Sequence, residues 1–75
     1  MKRSTAQSLQ VCFGMRIKRL RQSRGWSFTY LAVVSGLAKN TVVEVESGRT
    51  ETRLNTIAAL AGAFDKTLGE LLRGL

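Results

Sequence analysis

The chain has 75 residues, which is one domain at most. Its 12 Lys/Arg against 5 Asp/Glu leave a formal charge of +7. One cysteine and no histidine exclude an intrachain disulfide and a Cys/His zinc site. A core this small must then rest on helix packing and self-association. The charge is one-sided. Residues 1 to 24 carry Lys2, Arg3, Arg16, Lys18, Arg19, Arg21 and Arg24 with no acid, and the remainder balances to zero. Such a surface attracts polyanions, either nucleic acid or an anionic membrane. The longest apolar run, Ile57 to Phe64, is far short of the roughly 20 residues a spanning helix needs. Ser4 to Gln10 is too polar for the apolar part of a signal peptide, and a lone thiol fits a reducing compartment. A cytoplasmic protein is expected.

The absence of proline, with glycines near plausible helix ends, predicts an all-helical chain. Residues 1–7 read as a mobile basic arm, and 8–75 as the folded domain. Leu9, Phe13, Ile17 and Leu20 mark one face of a first helix from about Ser8 to Arg24, stopped by Gly25. Ser27 is a good N-cap for a second helix with Leu31, Ala32 and Val34 inward, broken at Gly36. A third helix starts near Ala38 or Lys39, turns Val42 and Val45 inward, and ends at Ser47-Gly48. After a polar loop, Thr52 is expected to cap a fourth helix with Leu54, Ile57, Leu60, Ala61 and Phe64 on its apolar face. Thr67-Leu68-Gly69-Glu70 has the form of a capping box and opens a short fifth helix with Leu68, Leu71 and Leu72.

The informative spacing runs from Ala32 to Gly36, then Val42 and Val45. A small residue permits two helices to cross closely, and glycine permits the sharp turn between them. Val42 and Val45 return the next helix to the core, leaving its other side free to face a major groove. There, Asn40 suits adenine, Lys39 guanine and Glu44 the cytosine amino group, while Val43 suits a thymine methyl. Ser27 and Thr29 stand at a helix start, where free amides favour anions. Trp26 is expected in the core and Cys12 in a buried or half-buried position. Arg16, Lys18 and Arg19 are expected to supply a general positive field.

The ordered series Gly14-x-x-Ile17-x-x-Leu20-Arg21, Gly25-x-Ser27, Leu31-Ala32, Gly36-Leu37, Val42-x-x-Val45-Glu46-x-Gly48 and Ile57-x-x-Leu60-Ala61-x-x-Phe64 resembles the lambda-repressor-like helix-turn-helix domains, including Cro and Xre-type regulators. The resemblance covers about Phe13 to Leu72. It implies a compact all-α bundle of five short helices, with helices 2 and 3 as the reading unit from about Phe28 to Ser47. It also implies a bacterial or phage regulator, usually a repressor, that binds double-stranded DNA as a homodimer and associates with the nucleoid when bound. Base contacts would fall to Lys39, Asn40, Val43 and Glu44. Backbone contacts would fall to Ser27, Phe28, Thr29, Thr41, Ser47, Arg49 and Arg53. Arg21 and Glu46 would form a structural ion pair. The sequence departs from the family at Phe28, where a phosphate-gripping Gln is usual, and at Thr52-Arg53, where Pro followed by Ser or Thr is usual.

No catalytic motif, cofactor, metal or small-molecule site is readable in the chain. Two rival readings remain. One is an antitoxin-like protein-interaction module that keeps the fold with weak DNA binding. The other is a cationic membrane-surface peptide, which is disfavoured because the core claims the apolar face of the first helix. Leu68, Leu72 and Leu75 offer more apolar surface than one short helix needs, so a dimer contact is expected there.

Overall fold

The computed structural model describes residues 6–75 and contains five helices among them: α1 (Ala6–Ser23), α2 (Phe28–Ser35), α3 (Lys39–Ser47), α4 (Leu54–Ala63) and α5 (Leu68–Leu72). Ala6 and Gln7, expected in the basic arm, are the first residues of α1. The rest of that arm, residues 1–5, lies outside the described residues.

Local chemistry sets most helix ends. Gly25, Gly36 and Gly48 all have φ near +70°, the left-handed conformation that glycine adopts cheaply after a helix. At Gly36 the reversal is closed by the Leu37 amide donating to the Ala32 carbonyl at 3.0 Å. The Ser27 hydroxyl accepts from the Tyr30 amide at 3.0 Å and caps α2. Ser27→Ala is expected to cost about 1 kcal/mol in a urea melt, because that amide loses its only capping partner. At α5 the Thr67 hydroxyl accepts from the Glu70 amide while the Glu70 carboxylate accepts from the Thr67 amide, so both halves of the capping box are present.

The core joins Phe13 and Ile17 of α1, Leu31 and Ala32 of α2, Val42 and Val45 of α3, Leu60, Ala61 and Phe64 around α4, and Leu71 of α5. Trp26 is half-buried, and its ring stacks on Phe64 at 5.4 Å between centroids.

Several inward assignments change. Val34 is exposed, and the inner stripe of α2 is Phe28, Leu31, Ala32 and Ser35, the i, i+3, i+4, i+7 set. Leu9 is exposed because it sits a turn beyond Phe13, beside an open groove rather than under a helix. Thr52 does not cap α4. The N-cap position is Arg53, which makes no side-chain capping bond, and Leu54 at the first helical position is 76% exposed. Cys12 is exposed, being on the side of α1 away from the α3 contact.

Candidate nucleic-acid interface

Two contacts fix α3 against α1. The first is steric. A β-carbon on Gly14 would stand 2.4 Å from the Val45 carbonyl oxygen and 3.0 Å from that of Glu46. The helices therefore approach at backbone distance, which only glycine permits. The second is electrostatic. Arg21 Nε donates to Glu46 Oε2 at 2.7 Å, and Nη2 donates to Oε1 at 3.1 Å. The remaining Nη1 donates to the Trp26 carbonyl at 2.8 Å. The two side chains are only 11% and 4% exposed, so the fork is held in a water-poor setting.

Phe28 belongs to this assembly. Its ring is half-buried, and the Arg21 guanidinium carbon lies 4.2 Å from the ring centroid. Stacking on an aromatic face suits a planar cation whose edges are already engaged. Phe28 has no polar atom with which to grip a phosphate. Its ring instead supports the cation that positions Glu46.

With Val42 and Val45 buried, the opposite side of α3 faces out. Asn40, Glu44 and Ser47 follow one another on that side at i, i+4 and i+7. Lys39, Asn40 and Glu44 are exposed, and among the described residues their side chains make no hydrogen bond or ion pair. Val43, expected to be exposed, is half-buried at the flank of this face, and Thr41 is half-buried too. Ser47 bonds locally: its hydroxyl donates to the Glu44 carbonyl at 2.6 Å and accepts from the Arg49 amide at 3.3 Å. Ala38, the N-cap of α3, makes no side-chain capping bond. The start of that helix thus presents amides of positive partial charge outward.

Beside α3 runs a cleft of about 320 Å³ between Asn40, Thr41 and Glu44 and the loop that leads into α4. Thr50, Glu51, Thr52, Arg53 and Thr56 line its far wall. Sequence reasoning missed Thr50 and Thr56. The clustering of three threonines between positions 50 and 56 was the available signal. Ser27 and Thr29 are exposed at the start of α2, and Arg49 and Arg53 are exposed in the loop. Arg16 is more than a field charge, since its guanidinium donates to the Leu71 and Arg73 carbonyls and ties the carboxyl end of the chain to α1. No described helix is long and apolar enough to cross a membrane.

This geometry, a capped helix, a glycine turn and a second helix with its outer face unengaged, accompanies a direct sequence match. Residues 17–71 match the family model described as "Helix-turn-helix". The chain belongs to the Cro/Xre-type helix-turn-helix family. It is 42% identical over 57 residues to the HTH-type transcriptional regulator AnsR of Bacillus subtilis (strain 168), a match that covers 76% of this chain and 49% of that protein. The chain thus spans about half the length of this curated relative. The crystal structure of the restriction-modification controller protein C.AhdI from Aeromonas hydrophila superposes with a TM-score of 0.77 at 40% identity, covering 83% of this chain and 94% of that one. The hypothetical transcription factor NHTF from Neisseria superposes with a TM-score of 0.79 at 28% identity, covering 96% and 83%. This helix-turn-helix chain is therefore one of a family of DNA-binding transcription regulators.

Proposed function

We propose that this helix-turn-helix protein reads a specific sequence in duplex DNA as a homodimer on a near-palindromic operator, and represses transcription by occluding it. The observation that carries the reading is the outer face of α3. Lys39, Asn40 and Glu44 are exposed and unengaged on a helix whose other side is locked to α1 by Gly14 and the Arg21–Glu46 fork. A helix held that firmly can place side chains on base edges. Asn40 takes adenine, Lys39 donates to guanine, Glu44 accepts from cytosine and Val43 packs on a thymine methyl. Ser27, Thr29, Thr41, Ser47, Arg49 and Arg53 flank the phosphates and set the register, while Phe28 acts through Arg21 rather than on a phosphate.

The dimer reading is supported at the carboxyl end. Leu68 and Leu72 are exposed, and Leu9, Phe13, Ile57, Leu72 and Leu75 line an open, largely apolar groove of about 490 Å³. A second copy seated there would remove this surface from water, and two half-sites one turn of DNA apart call for recognition helices about 34 Å apart in such a dimer.

Selection of bound duplexes from a random pool tests the whole reading. Two half-sites with centres about one helical turn apart are expected. Equal recovery of all sequences would refute operator recognition, and a single unpaired half-site bound by a monomer in sedimentation would refute the dimer. On the selected operator, Asn40→Ala is expected to cost about 1–3 kcal/mol and to relax preference at one base pair. A uniform loss across all sequences would instead make Asn40 a backbone contact.

A further inference from the structure

The recognition face is not where the charge excess sits. Around α3 and its loop, Lys39, Arg49 and Arg53 stand against Glu44 and Glu51, while Glu46 is already paired with Arg21. A denser basic cluster lies elsewhere. Arg16 and Arg19 of α1, with Lys66 and Arg73 beside α5, line one cleft of about 500 Å³ between these two helices. Arg16 donates to backbone carbonyls, which leave its charge uncompensated. The one carboxylate of the cleft is that of Glu70, and it accepts from the Thr67 amide in the capping box. Among the described residues none of the four cations has a carboxylate within ion-pair reach, and residues 1–8 contain no acid to supply one.

The cleft faces away from the recognition helix. At about 100° per residue, Arg16, Arg19 and Ser23 lie roughly 140–200° around α1 from Gly14, which packs on α3. A duplex held by α3 is thus on the other side of the domain. The apolar groove is also separate, since it is lined by Leu72 and Leu75 and the basic cleft by Glu70, Leu71 and Arg73.

We propose that this cleft is a docking site for an acidic segment of a partner protein. Four like charges on one concavity repel each other, and a complementary anion offsets that repulsion. The shape favours a polypeptide over a second duplex. The cleft is recessed between α1 and α5 and backed by the apolar side chains of Leu20 and Leu71. An acidic segment inserts carboxylates and aliphatic stems into such a recess, whereas a duplex presents phosphates on a convex cylinder. The site gives a regulator bound to DNA a free face for a protein with glutamate- or aspartate-rich sequence, and it stands independently of the operator reading.

The test uses the full chain and a fluorescein-labelled peptide of ten glutamates and two leucines, read by anisotropy. Arg19→Glu is set against Lys18→Glu. These neighbours on α1 are both exposed and the substitutions change the charge equally, but only Arg19 lines the cleft. Arg19→Glu is expected to weaken peptide binding about tenfold and Lys18→Glu less than about twofold, with random-duplex affinity alike in both variants. Lys66→Glu, from the other wall, serves as the second variant should Arg19→Glu fail to fold. Peptide-induced amide shifts in nitrogen-labelled protein are expected over residues 16–23 and 66–74. Equal weakening by both α1 variants would reduce the effect to net charge and overturn the proposal. A loss of duplex binding confined to Arg19→Glu would assign the cleft to nucleic acid and overturn it as well.

Discussion

Glu46→Ala is expected to destabilise the domain by about 3–5 kcal/mol, the usual cost of removing one partner from a buried ion pair. The substitution takes both carboxylate oxygens from Arg21 and leaves its guanidinium with one carbonyl and the face of Phe28. That cation is then largely buried, with two of its donor groups stripped of their carboxylate partner. A domain of this length has a total stability of about 4–11 kcal/mol at the usual 0.05–0.15 kcal/mol per residue. That loss is about a quarter or more of the total, so the urea midpoint is expected to fall by at least that fraction. Arg21→Met combined with Glu46→Met should recover most of the loss, because replacing a whole buried pair by apolar groups is often neutral or better. A Glu46→Ala loss below about 1 kcal/mol would mean that the pair behaves as a solvated surface bridge.

The pair also shows what sequence alone conveys. Neither residue is near the other in the chain, and no periodicity singles them out. The resemblance to a family proposed the contact, and the structure supplies its distances and its burial. Elements with a local signal were legible. Ser27 and the Thr67–Glu70 box mark helix starts because their side chains satisfy backbone amides within three residues. Gly25, Gly36 and Gly48 mark ends because the left-handed turn is itself a local event.

Assignments failed where the period carried too little information. Phe28-Thr29-Tyr30-Leu31-Ala32-Val33-Val34-Ser35 is apolar on every side, so an inner face cannot be read from its valines. Val34, expected inward, is exposed, and Phe28 and Ser35 complete the inner stripe. Thr52 looks like a cap, but α4 begins only at Leu54 and Arg53 takes the cap position without a side-chain bond. Lys39, Asn40 and Glu44 were legible as the exposed side of a helix that buries Val42 and Val45, whereas Val43 is half-buried at its flank. The cleft beside them was not, since it forms only when the loop from Thr50 to Arg53 folds back along α3.

Gly14 was visible in the sequence only as part of a family pattern, yet it governs how closely the reading helix can sit, and Gly14→Ala should show this. Within a helix this change normally stabilises by up to about 1 kcal/mol, since alanine is the better helix former. Here the new methyl would meet the Val45 carbonyl oxygen at 2.4 Å and the Glu46 carbonyl oxygen at 3.0 Å. Both are backbone atoms inside α3 and cannot rotate aside, so the helices must part by about 1 Å to restore ordinary contact. Such overpacking costs about 1–3 kcal/mol or more. The separation also acts on the Arg21–Glu46 fork, whose 2.7 Å contact spans the same two helices. A net loss of about 2–3 kcal/mol is expected, which lowers the melting temperature by about 10–20 °C in a domain of this size. Gly62→Ala in α4 is the matched control, because a β-carbon there meets nothing within 4 Å. That variant should melt at or slightly above the parent temperature. If Gly14→Ala did the same, α1 and α3 could part without loss, and the close approach would not be what fixes the recognition helix. If it lowers stability as expected, operator affinity should fall even well below the melting temperature. Glu44 and Asn40 ride on the same rigid helix as Val45, so a shift of about 1 Å at the contact is carried to the face proposed to read bases, where orientation decides each hydrogen bond.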